Sequence, residues 1–139
     1  MQTDLTNVTD LTGLPIDPEG LARIELVIRL LQGHQFDLST EKHLQSQVEV
    51  LLTEHGLTFE REKRLTALDI PDFLLAGGIV LECKLRNKAS KMDIYRQLER
   101  YSKHDEVKGL VLATNGAMGL PLEIGGKPAW FASFSRGWM

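Results

Sequence analysis

A single cysteine in 139 residues leaves no internal disulfide and no cysteine-built zinc site. No run of about 18 apolar residues occurs, which excludes a membrane-spanning helix, and the acidic, threonine-rich start is unlike a signal peptide. The expectation is a soluble, cytoplasmic protein with no membrane partner. The glycine-rich stretch 116–126 lacks the Gly-x-x-x-x-Gly-Lys-Ser/Thr spacing that cradles nucleotide phosphates. Internal repeats and low-complexity tracts are absent too. The net charge of −3 offers no bulk attraction for nucleic acid.

What remains suits one globular domain spanning 1–139, at 42% hydrophobic and 25% charged residues. Residues 1–17 carry few large apolar side chains and read as a loose arm. Charge is distributed unevenly. Residues 1–60 hold three Lys or Arg against ten Asp or Glu, whereas residues 61–108 hold eleven against eight. Three of those eight acids, Asp69, Asp72 and Glu82, cluster around one short stretch, so a local phosphate-binding surface fits a globally acidic chain.

That stretch, residues 69–84, reads as two short apolar strands joined at Gly77-Gly78, with Asp72, Glu82 and Lys84 where apolar residues are expected. Alternation puts Val80, Glu82 and Lys84 on one face and Ile79, Leu81, Cys83 and Leu85 on the other. A three-residue turn at Ala76, Gly77 and Gly78 pairs Leu75 with Ile79 and sets Asp72 opposite Glu82, about 5 Å apart at Cβ. A two-residue turn sends Asp72 to the other face and no site forms. Facing carboxylates repel, and a hard divalent cation such as Mg²⁺ or Mn²⁺ relieves them, with Lys84 alongside to meet a phosphate or an attacking water. The plainer alternative is a Glu82–Lys84 ion pair at a strand end.

Pro71-Asp72, nine intervening residues and Glu82-Cys83-Lys84 resemble the signature of the PD-(D/E)xK nuclease superfamily. The resemblance covers about residues 41–115. It implies a restriction-endonuclease-like α/β fold, a mixed central sheet flanked by helices. It also implies Mg²⁺- or Mn²⁺-dependent hydrolysis of phosphodiesters in DNA, with Asp72, Glu82, the Cys83 carbonyl and Glu41 holding the metal and Lys84 acting beside it. Compact Holliday junction resolvases and VRR-NUC nucleases are similar in size, so structure-selective or nonspecific cutting is expected, and a homodimer is compatible. The alternative in another class is a non-catalytic nucleic-acid-binding or assembly module that retains the fold.

Elsewhere, Asp17 and Pro18 open a first helix whose apolar residues cover most of its circumference, suited to burial on two sides or a dimer contact. Ser39 or Thr40 caps a second helix from Glu41 to about His55, stopped by Gly56, with Leu44, Val48, Leu51 and Leu52 inward. Glu41 and His55 fall near that face; Glu49 and Glu54 fall away from it and are expected in solvent. Glu41 either serves the site, as the resemblance implies, or interacts with the helix N-terminus; Gln45 lies one turn later. Residues 57–68 suit an edge strand with Arg61, Lys63 and Arg64 outward.

Beyond Lys84, the basic loop containing Arg86 and Lys88 leads through Lys91 into a helix carrying Gln97 and Tyr101 one turn apart. Following the Glu-x-Lys strand by 13 residues, Gln97-x-x-x-Tyr101 resembles the RecB-like branch, which implies that Gln97 acts near Lys84 and the nucleic-acid backbone. A tyrosine at that interval is otherwise ordinary core. Arg86, Lys88, Lys91, Arg96, Arg100 and Tyr101 are the candidate nucleic-acid contacts. The run 110–114 reads as a buried strand completing a βαβ unit, and 129–134 as a last strand with Trp138 anchoring the terminus.

Overall fold

The computed structural model describes residues 16–85, 90–116 and 118–134. The loose arm expected at the N-terminus, Arg86, Lys88 and Trp138 therefore lie outside the described residues, save for Ile16 and Asp17.

Helix α1 (Pro18–Gln32) begins where Asp17 accepts the Gly20 N–H at 2.8 Å and proline occupies the first turn. Gly20, Ile24, Val27 and Leu31 are buried along it. Leu21, Ile28 and Leu30 pack against the same core, so its broad apolar surface has a use within the chain. Helix α2 (Glu41–Glu54) is capped by Thr40, whose hydroxyl accepts the His43 N–H at 3.0 Å. Its buried residues are the four expected, Leu44, Val48, Leu51 and Leu52, and Gly56 follows its end at φ 72°. His55 is an exposed C-cap with Nδ1 3.0 Å from the Leu51 carbonyl oxygen, a boundary residue at the helix end.

Six strands form a mixed sheet: β1 (Phe59–Arg61), β2 (Phe73–Leu75), β3 (Ile79–Lys84), β4 (Gly109–Thr114), β5 (Glu123–Ile124) and β6 (Lys127–Ser133), in the order β1-β2-β3-β4-β6-β5. The pairs β1–β2, β2–β3 and β5–β6 are antiparallel; β3–β4 and β4–β6 are parallel. Helix α3 (Lys91–Ser102), capped by Ser90, connects β3 to β4. The edge strand expected over 57–68 is only three residues long, because Glu62 turns the backbone out of the ladder at φ 50°. The glycine-rich stretch after β4 contains β5, which pattern alone did not predict.

The two faces of the sheet carry separate cores. Ile79, Leu81 and Cys83 of β3, with Leu85 just beyond it, join α1 and α2 on one side. Val80, with Leu110 and Leu112 of β4, joins Ile94, Leu98 and Tyr101 of α3 on the other. The architecture is mixed α/β, with helices on both faces. No helix among the described residues is long and apolar enough to cross a membrane.

The β2–β3 turn sets the register. Leu75 pairs with Ile79, Leu74 with Val80 and Phe73 with Leu81, so the connection is the three residues Ala76, Gly77 and Gly78. Both glycines have positive φ, 88° and 83°. A Cβ on Gly78 would fall on the Glu106 carbonyl oxygen, whereas one on Gly77 would meet only the end of the Arg23 side chain.

Candidate active site

Continuing the ladder one step beyond Phe73–Leu81 brings Asp72 opposite Glu82 at the end of the hairpin. Asp72 donates its backbone N–H to Glu82 Oε1 at 3.1 Å, and Cys83 donates its N–H to Asp72 Oδ2 at 2.8 Å. Lys84 Nζ stands 3.1 Å from Glu82 Oε2, with the glutamate 2% and the lysine 16% exposed. In an extended strand the N–H and C=O of one residue leave on the same edge. The Cys83 carbonyl therefore faces the end of β2, where Pro71 has no N–H to bond it.

Helix α2 supplies the second wall. Glu41 Oε2 accepts the Leu85 N–H at 3.1 Å, and Gln45 Nε2 donates to Asp72 Oδ1 at 3.1 Å. Arg61, expected in solvent, instead turns toward α2. It donates to Glu49 Oε1 at 2.7 Å and to Gln45 Oε1 at 3.3 Å, with its guanidinium 5.0 Å from the Phe73 ring centroid. Register is the cause: Arg61 pairs with Phe73 and shares the face of Phe59, the apolar residue two positions earlier. That parity was the available signal. Glu49 accordingly is an ion-pair partner and not a freely solvated acid.

Helix α3 covers the opposite side. Gln97 Nε2 donates to the Tyr101 hydroxyl at 2.9 Å, so the expected pair forms. Tyr101 is fully buried in the core beneath the sheet, however, and the nucleic-acid contact expected of it is corrected. Lys84 Nζ is paired with Glu82, and the bond described for Gln97 is the one to the Tyr101 hydroxyl. Lys91 and Arg96 are exposed. Arg100 is half engaged: its Nε lies 3.0 Å from Asp69 Oδ1, while His104 Nε2 lies 2.9 Å from Asp69 Oδ2. Asp69 thus ties the loop before Pro71 to the end of α3 and does not join the paired carboxylates. These contacts also hold its carboxyl below the usual range, the His104 bond foremost.

The paired carboxylates are electrostatically loaded. Burial, then the neighbouring Glu82, pushes the Asp72 carboxyl up to about 8. Glu82 is also raised, chiefly by burial, against the opposing pull of Lys84. Burial opposes the charged form of Lys84, yet Glu82 and then Asp72 outweigh it and the ammonium titrates above its ordinary value. Burial, followed by the repulsion of Glu82 and Asp72, drives the Tyr101 hydroxyl well upward, so it stays neutral. The Cys83 thiol is raised by burial and is inert as a thiolate.

A hard divalent cation fits this donor set by chemistry: oxygen atoms only, from Asp72, Glu82 and the Cys83 carbonyl, with protons on the carboxyls that a cation would displace. Among the described residues, no three His, Cys, Asp or Glu side chains are gathered as a metal-holding group. Glu41 reaches the same end of β3 from α2, with Oε2 accepting the Leu85 N–H, so it stands beside the two carboxylates and the carbonyl as a further oxygen donor. Comparison with family models, curated proteins and solved structures gave no match.

Proposed function

We propose that the chain is a metal-dependent deoxyribonuclease of the PD-(D/E)xK superfamily, with a restriction-endonuclease-like fold. The observation that carries this reading is the pairing of half-buried Asp72 with buried Glu82 at the open end of the β2–β3 hairpin, with Lys84 bound to Glu82. A bound Mg²⁺ or Mn²⁺ supplies a Lewis acid and positive charge toward a phosphate. The chain's own residues do the rest. Asp72, Glu82 and the Cys83 carbonyl hold the ion, while Lys84, cationic at neutral pH, orients the attacking water or offsets charge on the phosphate in the transition state. Lys91 and Arg96 stand on α3 as contacts for the backbone of DNA. With few elements to read base edges, the expected substrates are DNA structures or any DNA, not a fixed sequence.

One observation favours a second reading, a nucleic-acid-binding or assembly module that does not cut. Each oxygen of Asp72 and Glu82 already has a donor or cation within the chain. Incubating the protein with linear, single-stranded and branched DNA in Mg²⁺, Mn²⁺ or EDTA separates the two. The nuclease cuts in metal alone, and Asp72→Ala abolishes cutting while binding persists. Binding without cutting on every substrate establishes the second reading.

A further inference from the structure

We infer that Gln45 and Arg61 are positioning residues for Asp72, with Arg61 fixing the orientation of the Gln45 amide and Gln45 fixing the carboxylate. Only the catalytic consequence rests on the nuclease reading; the relay itself does not.

The side-chain amide of Gln45 lies between Arg61 and Asp72. Arg61 donates and never accepts, so the oxygen of the Gln45 amide must face it and the NH₂ group is left for Asp72. The amide therefore has one satisfied orientation, Oε1 toward Arg61 Nη2 at 3.3 Å and Nε2 toward Asp72 Oδ1 at 3.1 Å. The reverse orientation sets the Gln45 NH₂ group against the Arg61 guanidinium, donor against donor. Arg61 is itself fixed by Glu49 at 2.7 Å and by the Phe73 ring. Its Nε is buried with no hydrogen-bond partner among the described residues, an unfavourable burial that the remaining guanidinium contacts must offset.

Asp72 is then held at both oxygens, Oδ1 by Gln45 and Oδ2 by the Cys83 N–H at 2.8 Å. Two donors on different oxygens fix the rotation of the carboxylate plane, and one of them is adjustable only through Arg61. Ligands oriented by such outer partners typically lose about 10- to 100-fold in metal affinity when the partner is removed. A group that acts by orientation is also rescued by excess metal, which a group that carries out the chemistry is not.

The test uses the full chain with two readouts. In metal-free protein, the ¹⁵N side-chain amide signals of Gln45 are compared in wild type and Arg61→Met, with Arg61→Lys as a second variant should the first fail to fold. In the cleavage assay, Gln45→Met and Arg61→Met are titrated with Mg²⁺. The relay predicts that the Gln45 signals move to those of an exposed glutamine, and that half-saturating Mg²⁺ rises about 10- to 100-fold with the rate restored at saturation. Unchanged Gln45 signals on altering Arg61, or wild-type Mg²⁺ dependence in Gln45→Met, overturns it. Failure of the nuclease reading looks different: wild type cuts no DNA, while the Gln45 signals still depend on Arg61, which upholds the relay.

Discussion

Cys83 donates its backbone N–H to Asp72 Oδ2 across the open end of the β2–β3 hairpin, at 2.8 Å. Asp72 thus takes its place from the register of that hairpin, and the register depends on the three-residue turn at Ala76, Gly77 and Gly78. Any change that alters the turn by one residue sends Asp72 to the other face.

Gly78→Ala is therefore expected to do more damage than Gly77→Ala. Both positions have positive φ, but only at Gly78 does an added Cβ meet backbone, the Glu106 carbonyl oxygen. Positive φ alone disfavours an L-residue by roughly 1–2 kcal/mol, and the collision adds to it. A fall in Tm of about 10 °C for Gly78→Ala, and about half that for Gly77→Ala, is expected in thermal melts. Equal effects would mean that the Glu106 contact is unimportant.

Stability without metal should decline with rising pH. The Asp72 carboxyl titrates near 8 in the folded chain, above about 3.9 in an unfolded one. The folded state thus holds a proton that the unfolded state releases. Its stabilising contribution is full below about pH 4 and is lost as pH rises through about 8. Thermal melts in EDTA at a series of pH values should show this slope, with Asp72→Asn flattening it. A wild-type slope in the variant would place the titration elsewhere.

Tyr101→Phe removes the acceptor of Gln97 without altering any surface that DNA could reach. The expected loss is about 1 kcal/mol of stability, with a reduced cleavage rate and unchanged KM for DNA. A raised KM with normal kcat would show that the tyrosine contacts substrate.

Arg96→Ala should weaken DNA binding uniformly across sequences and lower the slope of log affinity against log salt by about one. Arg100→Ala should instead lower stability through Asp69, because its Nε lies 3.0 Å from that carboxylate. Fluorescence anisotropy over a salt series, paired with melts, distinguishes the two.

Much of this was legible in sequence. The parity of a three-residue glycine turn gave the pairing of Asp72 with Glu82, and about 100° per residue gave the buried face of α2. The Gln97–Tyr101 contact also followed from helical spacing. The place of Arg61 is less legible, because charge and parity conflict: its neighbours Glu60, Glu62 and Lys63 suggest solvent, while Phe59 two residues before it marks the buried face. Asp69 lies near the site along the chain, yet its partners are Arg100 on α3 and His104 just beyond the helix, more than thirty residues away. Long-range partners of this kind follow from the packing of α3, which local pattern does not specify.

Calorimetric titration of metal-free protein with Mn²⁺ at pH 7, in two buffers of different ionisation enthalpy, tests most directly whether Asp72 and Glu82 form a cation site. The account predicts binding accompanied by proton release, both absent in Asp72→Ala. Folded wild-type protein that takes up no Mn²⁺, or takes it up equally well without Asp72, would contradict it.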